Sequence, residues 1–245
     1  MSDNDMAGRI ALVTGGNKGI GREVVAQLAA RGATVLLGAR DKGRREDAVA
    51  ELRAGGLDVH PVALDVTAAA SAGEAAAWID REYGRLDVLV NNAAVTGGRP
   101  GEPSTMDLER LRLVFETNVF GVLAVTNAML PLLRRSAAAV VVNVSSTVGS
   151  LHRAANGEWD AMPASATYVP SKTALNSLTV QYAKELRAEG ILVNAVSPGW
   201  CATDLNNHQG QLSAAEGASV VVRYAAIGPG GPTGGFFSAD GAEPW

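Results

Sequence analysis

Six short runs of near-continuous apolar residues, each followed by a stretch with helical character, constrain this chain more than any other feature. They are Arg9 to Gly15, Ala33 to Ala39, Asp58 to Val66, Leu86 to Ala93, Ala139 to Ser146 and Ile191 to Gly199. Apolar character without alternation belongs to strands buried on both faces. Such strands, separated by helices, are joined by right-handed crossovers, so the expected fold is α/β with a doubly wound, mostly parallel sheet flanked by helices. A last apolar stretch, Gly234 to Gly241, follows a Gly/Pro-rich turn and reads as a closing strand, giving about seven strands in all. Helix ends are readable as well. Ser71 with Glu74, and Ser213 with Glu216, have capping-box spacing, and Gly84 stands where the first of these helices should stop.

With 245 residues, 47% of them apolar, the chain can bury its core as a single domain spanning residues 1–245. It shows neither an internal repeat nor a long linker. A net charge of -4, and no basic cluster beyond the short piece Lys42 to Arg45, give no footprint for a nucleic acid. A small molecule is the expected partner. Cys201 is the single cysteine, and Met1 to Arg9 is polar and acidic where a leader would be basic and then apolar. The expectation is an intracellular, cytoplasmic protein. No apolar run approaches the roughly 20 residues that cross a bilayer, and three His with one Cys offer no metal-ligand spacing. Neither a membrane nor a metal is expected as a partner.

The first apolar run ends in the turn Thr14-Gly-Gly-Asn-Lys-Gly-Ile-Gly21 and leads into an amphipathic helix. Glycines at 15, 19 and 21 permit a tight turn, close approach of a pyrophosphate and close packing of helix on strand. The helix N-terminus adds free N–H groups and the positive end of its dipole. The spacing differs from the commoner Gly-x-Gly-x-x-Gly, yet it stands between strand and helix, where a dinucleotide site must lie. Selectivity between cofactors is expected at the end of the second strand. There Arg40 can fork onto a 2′-phosphate, with Lys18 of the glycine turn reaching the same group, while Asp41 is the residue that favours a free ribose. The balance points to NADP(H) over NAD(H).

Tyr168 and Lys172 stand four residues apart in Tyr-Val-Pro-Ser-Lys. On a helix they share a face, separated by about 6 Å along the axis. Pro170 suits a first helical turn, with Thr167 as the cap ahead of it. Alone, this pair is equally an ordinary solvated face.

Together with the glycine turn, Asn91 to Ala94, Asn143 to Ser146 and Ser197 to Thr203, the pair completes five motifs in one order at successive strand ends. The chain resembles the short-chain dehydrogenase/reductase family along its whole length, and within it the NADPH-dependent carbonyl reductases. The resemblance implies a single NAD(P)-binding Rossmann domain. It implies that Tyr168 gives a proton to the carbonyl oxygen, and that Lys172 binds the nicotinamide ribose and lowers the tyrosine pKa. Ser146, rather than Ser145, would hydrogen-bond the substrate oxygen, and Asn118 would order a water relay to the lysine. The bland readings are that the serines only end a strand and that Asn118 is a satisfied core amide. For the cofactor, the resemblance implies Gly15, Asn17, Lys18, Gly19, Ile20 and Gly21 at the turn, and Arg40 past the second strand. It adds Asp65 and Val66 by the adenine, Asn92 and Ala93 along the path, Tyr168 and Lys172 at the ribose, and Pro198, Gly199 and Thr203 at the carboxamide and phosphates. Ala94 replaces the usual glycine of its motif.

The segment 147–167, between Ser146 and Tyr168, is longer than in ordinary members and is placed to wall a substrate pocket. Leu151, Trp159 and Met162 within it, and Val95, Trp200 and Leu205 outside it, suggest an apolar carbonyl substrate. Pinning the insertion to the body is an equally good reading of Trp159 and Met162. Monomer and homo-oligomer both stay open. The expected reaction is NADPH-dependent reduction of an aldehyde or ketone. The alternatives are an NAD-linked alcohol dehydrogenase and a catalytically silent NADP-binding regulator. A serine hydrolase would need a Gly-x-Ser-x-Gly elbow, which this sequence lacks.

Overall fold

The computed structural model describes residues 4–245, so the first three residues of the stretch read for a leader lie outside it. Its strands alternate with helices along the chain: β1 (Ile10–Thr14), α1 (Gly19–Ala30), β2 (Thr34–Ala39), α2 (Lys42–Ala54), β3 (Val59–Ala63), α3 (Ala69–Tyr83) and β4 (Val88–Asn91). Next come α4 (Leu108–Phe115), a π turn (Glu116–Phe120), α5 (Gly121–Leu133), β5 (Val140–Val144), α6 (Leu151–Ala155) and α7 (Tyr168–Leu186). The chain closes with β6 (Leu192–Val196), α8 (Ala214–Ala225), β7 (Phe236–Ser238) and β8 (Gly241–Ala242).

All strands join one sheet in the order β3-β2-β1-β4-β5-β6-β7-β8, parallel except for the β7–β8 pair. The sheet thus has eight strands rather than about seven. The eighth is a two-residue return after the turn at Ser238 to Gly241, too short to leave an apolar signature.

Burial explains the unalternating apolar runs. In β1, Ala11 and Val13 pack into a layer with Val24 and Leu28 of α1, Val49 of α2 and Val221 of α8. Ile10 and Leu12 point the other way, to Ile79 of α3, Met129 of α5 and Leu186 of α7. Strands β1 to β6 each feed two cores, so both of their faces carry apolar residues. The helix α4–π turn–α5, Leu108–Leu133, is by length and hydropathy able to cross a membrane, which the sequence expectation passed over. Half of its apolar window is buried, and Val125, Met129, Leu130, Leu132 and Leu133 lie in the second core layer.

A buried polar chain fastens α7 to the sheet. Asn91 Nδ2 donates to Thr126 Oγ1 (3.0 Å) and Asn143 Oδ1 (2.9 Å), and Asn143 Nδ2 donates to Thr179 Oγ1 (2.9 Å). Its bonds are made within the core, which fixes the register of β4, β5 and α7 relative to one another.

Two helix starts differ from expectation. The helix α3 begins at Ala69, and the Ser71 hydroxyl accepts instead from the Asp65 N–H (3.0 Å). Thr167 precedes α7 without capping it, because its hydroxyl donates to the Thr96 carbonyl (3.1 Å). The Ser213–Glu216 box and the Gly84 stop are as expected.

Candidate active site

The strand order reverses between β1 and β4, and the crevice at such a point, outside the carboxyl ends of the strands, is where open α/β sheets bind ligands. Asn92 fastens the two strand ends together there. Its Nδ2 donates to the Thr14 carbonyl (2.9 Å), while Thr14 Oγ1 accepts from the N–H groups of Asn92 and Ala93 (3.0 Å each). Gly21 lies against this joint, and a Cβ on it would fall 2.4 Å from both Gly15 O and Asn92 Nδ2. No side chain fits. Gly15, at φ +63, bends the chain out of β1 as an L side chain would resist. Lys18 stands at the N-terminus of α1 without a side-chain cap on the free N–H groups that follow. A closely approached backbone and free amides at a helix start suit a pyrophosphate.

A groove of about 620 Å³ runs from this turn past the ends of β2, β3 and β4. The residues expected to hold a dinucleotide converge on it: Gly15, Asn17, Lys18, Gly19, Ile20 and Gly21 of the turn, Arg40, Asp65 and Val66, then Asn92 and Ala93, with Thr203 opposite. Tyr168, Lys172, Pro198 and Gly199, expected with them, stand outside its lining. Pro198 is buried at the end of β6, and Gly199, at φ +85, turns the chain toward Thr203.

Two cations face the groove beyond β2. Arg40 is exposed and lies near enough to Asp65 to help hold its carboxyl below the usual range, after the stronger effect of the Thr67 hydrogen bonds. Arg44 joins it in the lining. That residue was visible in the sequence only as part of a short basic piece, and its position in the first turn of α2 brings it to the same place. Asp41 is spent elsewhere, since its carboxylate caps α2 by accepting from the Arg44 N–H (2.9 Å).

At the end of β5, Ser145 and Ser146 separate cleanly. Ser145 is buried and donates to Asn176 Oδ1 (2.5 Å), whereas Ser146 is half-buried. Lys172 is buried with Nζ donating to the Val144 carbonyl (2.8 Å), and the same Nζ stands 5.5 Å from the centroid of the Tyr168 ring. Burial pushes the Tyr168 hydroxyl up to about 12, opposed by a hydrogen bond with Ser146. Burial also pulls Lys172 down to about 7. The expected lowering of the tyrosine by the lysine is therefore reversed here. The cation lies over the ring rather than at the hydroxyl, and desolvation disfavours both charged forms.

Asn118 sits on the π turn, a helical irregularity that recurs at functional sites. Its Oδ1 accepts from Val95 N–H (2.9 Å), and its Nδ2 donates to Val95 O (2.9 Å) and Ser171 Oγ (3.0 Å). Both side-chain N–H groups are thus committed to tying the loop after β4 to α7 beside Lys172. The side-chain amide is fully satisfied within the protein.

Segment 147–167 leaves Ser146 through a single 3₁₀ turn (Thr147–Gly149), forms α6, and returns to Tyr168. Gly149 packs on Lys172, where a Cβ would approach the backbone at 2.9 Å. Arg153 of α6 bridges Glu158 (2.7 Å) and Glu243 (2.5 Å). Leu151 and Met162 are exposed, as are Trp200 and Leu205 of the loop after β6, with Leu205 in the groove lining. Cys201 is buried, and burial pushes its thiol up, so it packs rather than reacts.

This geometry has close counterparts. The family model for short chain dehydrogenases matches residues 9–213. Short-chain dehydrogenase/reductase 1 of Saponaria officinalis is 33% identical over 97% of this chain and 96% of its own length. Salutaridine reductase of Papaver bracteatum is 33% identical, covering 94% of each chain. The crystal structure of NADPH-bound carbonyl reductase from chicken fatty liver superposes with a TM-score of 0.88 at 28% identity, over 98% of this chain and 100% of that one. Motif order, sheet topology and whole-length likeness agree, and the chain belongs to the short-chain dehydrogenase/reductase family.

Proposed function

We propose that this protein reduces an aldehyde or ketone to an alcohol with NADPH, using Tyr168 as the proton donor. The observation that carries this reading is the meeting of Ser146, Tyr168 and Lys172 at the end of β5, with Ser146 hydrogen-bonded to the Tyr168 hydroxyl and Lys172 Nζ 5.5 Å from the ring centroid. A phenol held near 12 keeps its proton throughout the neutral range, so it is equipped to give one up to a developing alkoxide. The cofactor, once bound, supplies a hydride to the carbonyl carbon; the tyrosine proton goes to the oxygen, which balances the reduction.

Ser146 is the partner for the same oxygen. Being half-buried and next to Tyr168, it can donate to a carbonyl and hold it in line with the phenol. Lys172 is the group that stabilises the phenolate left behind, through its position one turn along the same helix face. Asn118 fixes the loop carrying Val95 against α7, and its role is positional.

Preference for NADP(H) is supported by Lys18, Arg40 and Arg44 lining the groove while Asp41 is occupied as a helix cap. The exposed apolar residues Leu151, Met162, Trp200 and Leu205 favour an apolar substrate. A screen of NADPH and NADH oxidation over ketones, ketoesters, quinones and aldehydes tests this reading. Turnover with NADPH on apolar carbonyls is the expected result. A clear preference for NADH would overturn the cofactor assignment, and absence of turnover across the panel would overturn the function.

A further inference from the structure

One ion pair spans the cofactor groove. Lys18 Nζ, in the glycine turn, donates to Asp204 Oδ2 at 2.9 Å, and both residues line the groove. Asp204 belongs to the loop after β6, which lies directly on the turn: a Cβ on Gly19 would sit 3.5 Å from Thr203 Cγ2. The other carboxylate oxygen of Asp204 has a second partner, His208 Nε2 at 3.1 Å. The loop is held in shape by reciprocal bonds between Thr203 and Asn206, and it carries Asn207 and His208 in the left-handed region at φ 54 and 59.

Three carboxylates line the groove, and two of them are occupied elsewhere. Asp41 caps α2, and Asp65 is bound by Thr67. Asp204 alone is bonded to a cation that an incoming phosphate needs. The turn beside Lys18 is shaped for phosphate, and a carboxylate 2.9 Å from the same ammonium would be forced against that second anion. With both side chains about half exposed the repulsion is modest, so the phosphate and the carboxylate compete for the one ammonium.

Taking the functional reading above as its basis, we propose that Asp204 is the counter-ion that a cofactor phosphate displaces from Lys18. His208 retains the displaced carboxylate. The exchange unfastens the loop from the glycine turn when the cofactor arrives, and that loop follows the exposed Trp200 and carries Leu205, an exposed apolar residue of the groove lining. Asp204 therefore lowers cofactor affinity and makes cofactor binding felt where the substrate would sit.

The test is a fluorescence titration of NADPH and NADH into wild type, Asp204→Asn, Lys18→Ala and the double variant. Both substitutions lie at exposed side chains. An exposed ion pair of ordinary strength predicts NADPH binding about two- to five-fold tighter in Asp204→Asn. In the Lys18→Ala background the same change should have no effect. Tightening confined to NADPH assigns the exchange to the 2′-phosphate, and equal tightening of NADH assigns it to the pyrophosphate. Unchanged or weaker NADPH binding in Asp204→Asn, or tightening that persists undiminished without Lys18, overturns the exchange while leaving the functional reading intact. Failure of the wild type to bind either dinucleotide overturns both.

Discussion

Lys172 Nζ stands 5.5 Å from the centroid of the Tyr168 ring while donating to the Val144 carbonyl at 2.8 Å. The lysine is thereby anchored to the strand end and held over the Tyr168 ring. Being buried, it is pulled down to about 7 from its ordinary 10.5. Between those values the folded chain has released a proton that the unfolded chain keeps. The unfolded state then binds more protons, so stability must rise with pH across this window. Denaturation midpoints of the cofactor-free protein at pH 7 and pH 9.5 check this. Wild type should gain stability relative to Lys172→Met as pH rises, by on the order of a few kcal/mol. Parallel pH profiles for the two proteins would show that the lysine is not held in this way.

The two serines at the end of β5 should fail differently. Ser145→Ala leaves the buried Asn176 Oδ1 without its donor and should cost about 1–3 kcal/mol of stability, with modest effect on turnover. Ser146→Ala removes a half-buried hydroxyl next to Tyr168. It should leave the melting temperature unchanged and lower kcat by about 10²–10³-fold, as loss of an oxyanion donor does. Melting curves and turnover measured on both variants check the assignment, and reversal of the pattern would exchange their roles.

Arg40 should separate the cofactors. Charge-assisted bonds to a phosphate are strong, so Arg40→Ala should weaken NADPH binding about ten- to hundred-fold and leave NADH within error. Equal loss for both dinucleotides would mean that Arg40 serves the adenine alone.

Much of this molecule is written in its sequence because burial on two faces forces strands such as β1 to be apolar throughout, and because Gly21 has no room for a side chain. The Tyr168–Lys172 pair was legible for a related reason: the two residues need only one helix to be brought together. What stayed hidden depends on contacts far apart in the chain. Lys18 and Asp204 meet across 186 positions. Thr167 gave up its expected cap for the Thr96 carbonyl, and Ser71 answered Asp65 rather than its own helix. The raised state of Tyr168 was also beyond sequence reading, since spacing reports the nearness of a cation and not the desolvation that outweighs it.

The measurement that bears most directly on the proposed function compares NADPH oxidation by wild type and Tyr168→Phe on an apolar ketone, with NADPH affinity measured alongside. Loss of the proton donor should lower kcat by about 10²–10⁴-fold, while the dissociation constant for NADPH stays within error of wild type. Full turnover in Tyr168→Phe would contradict Tyr168 as the proton donor.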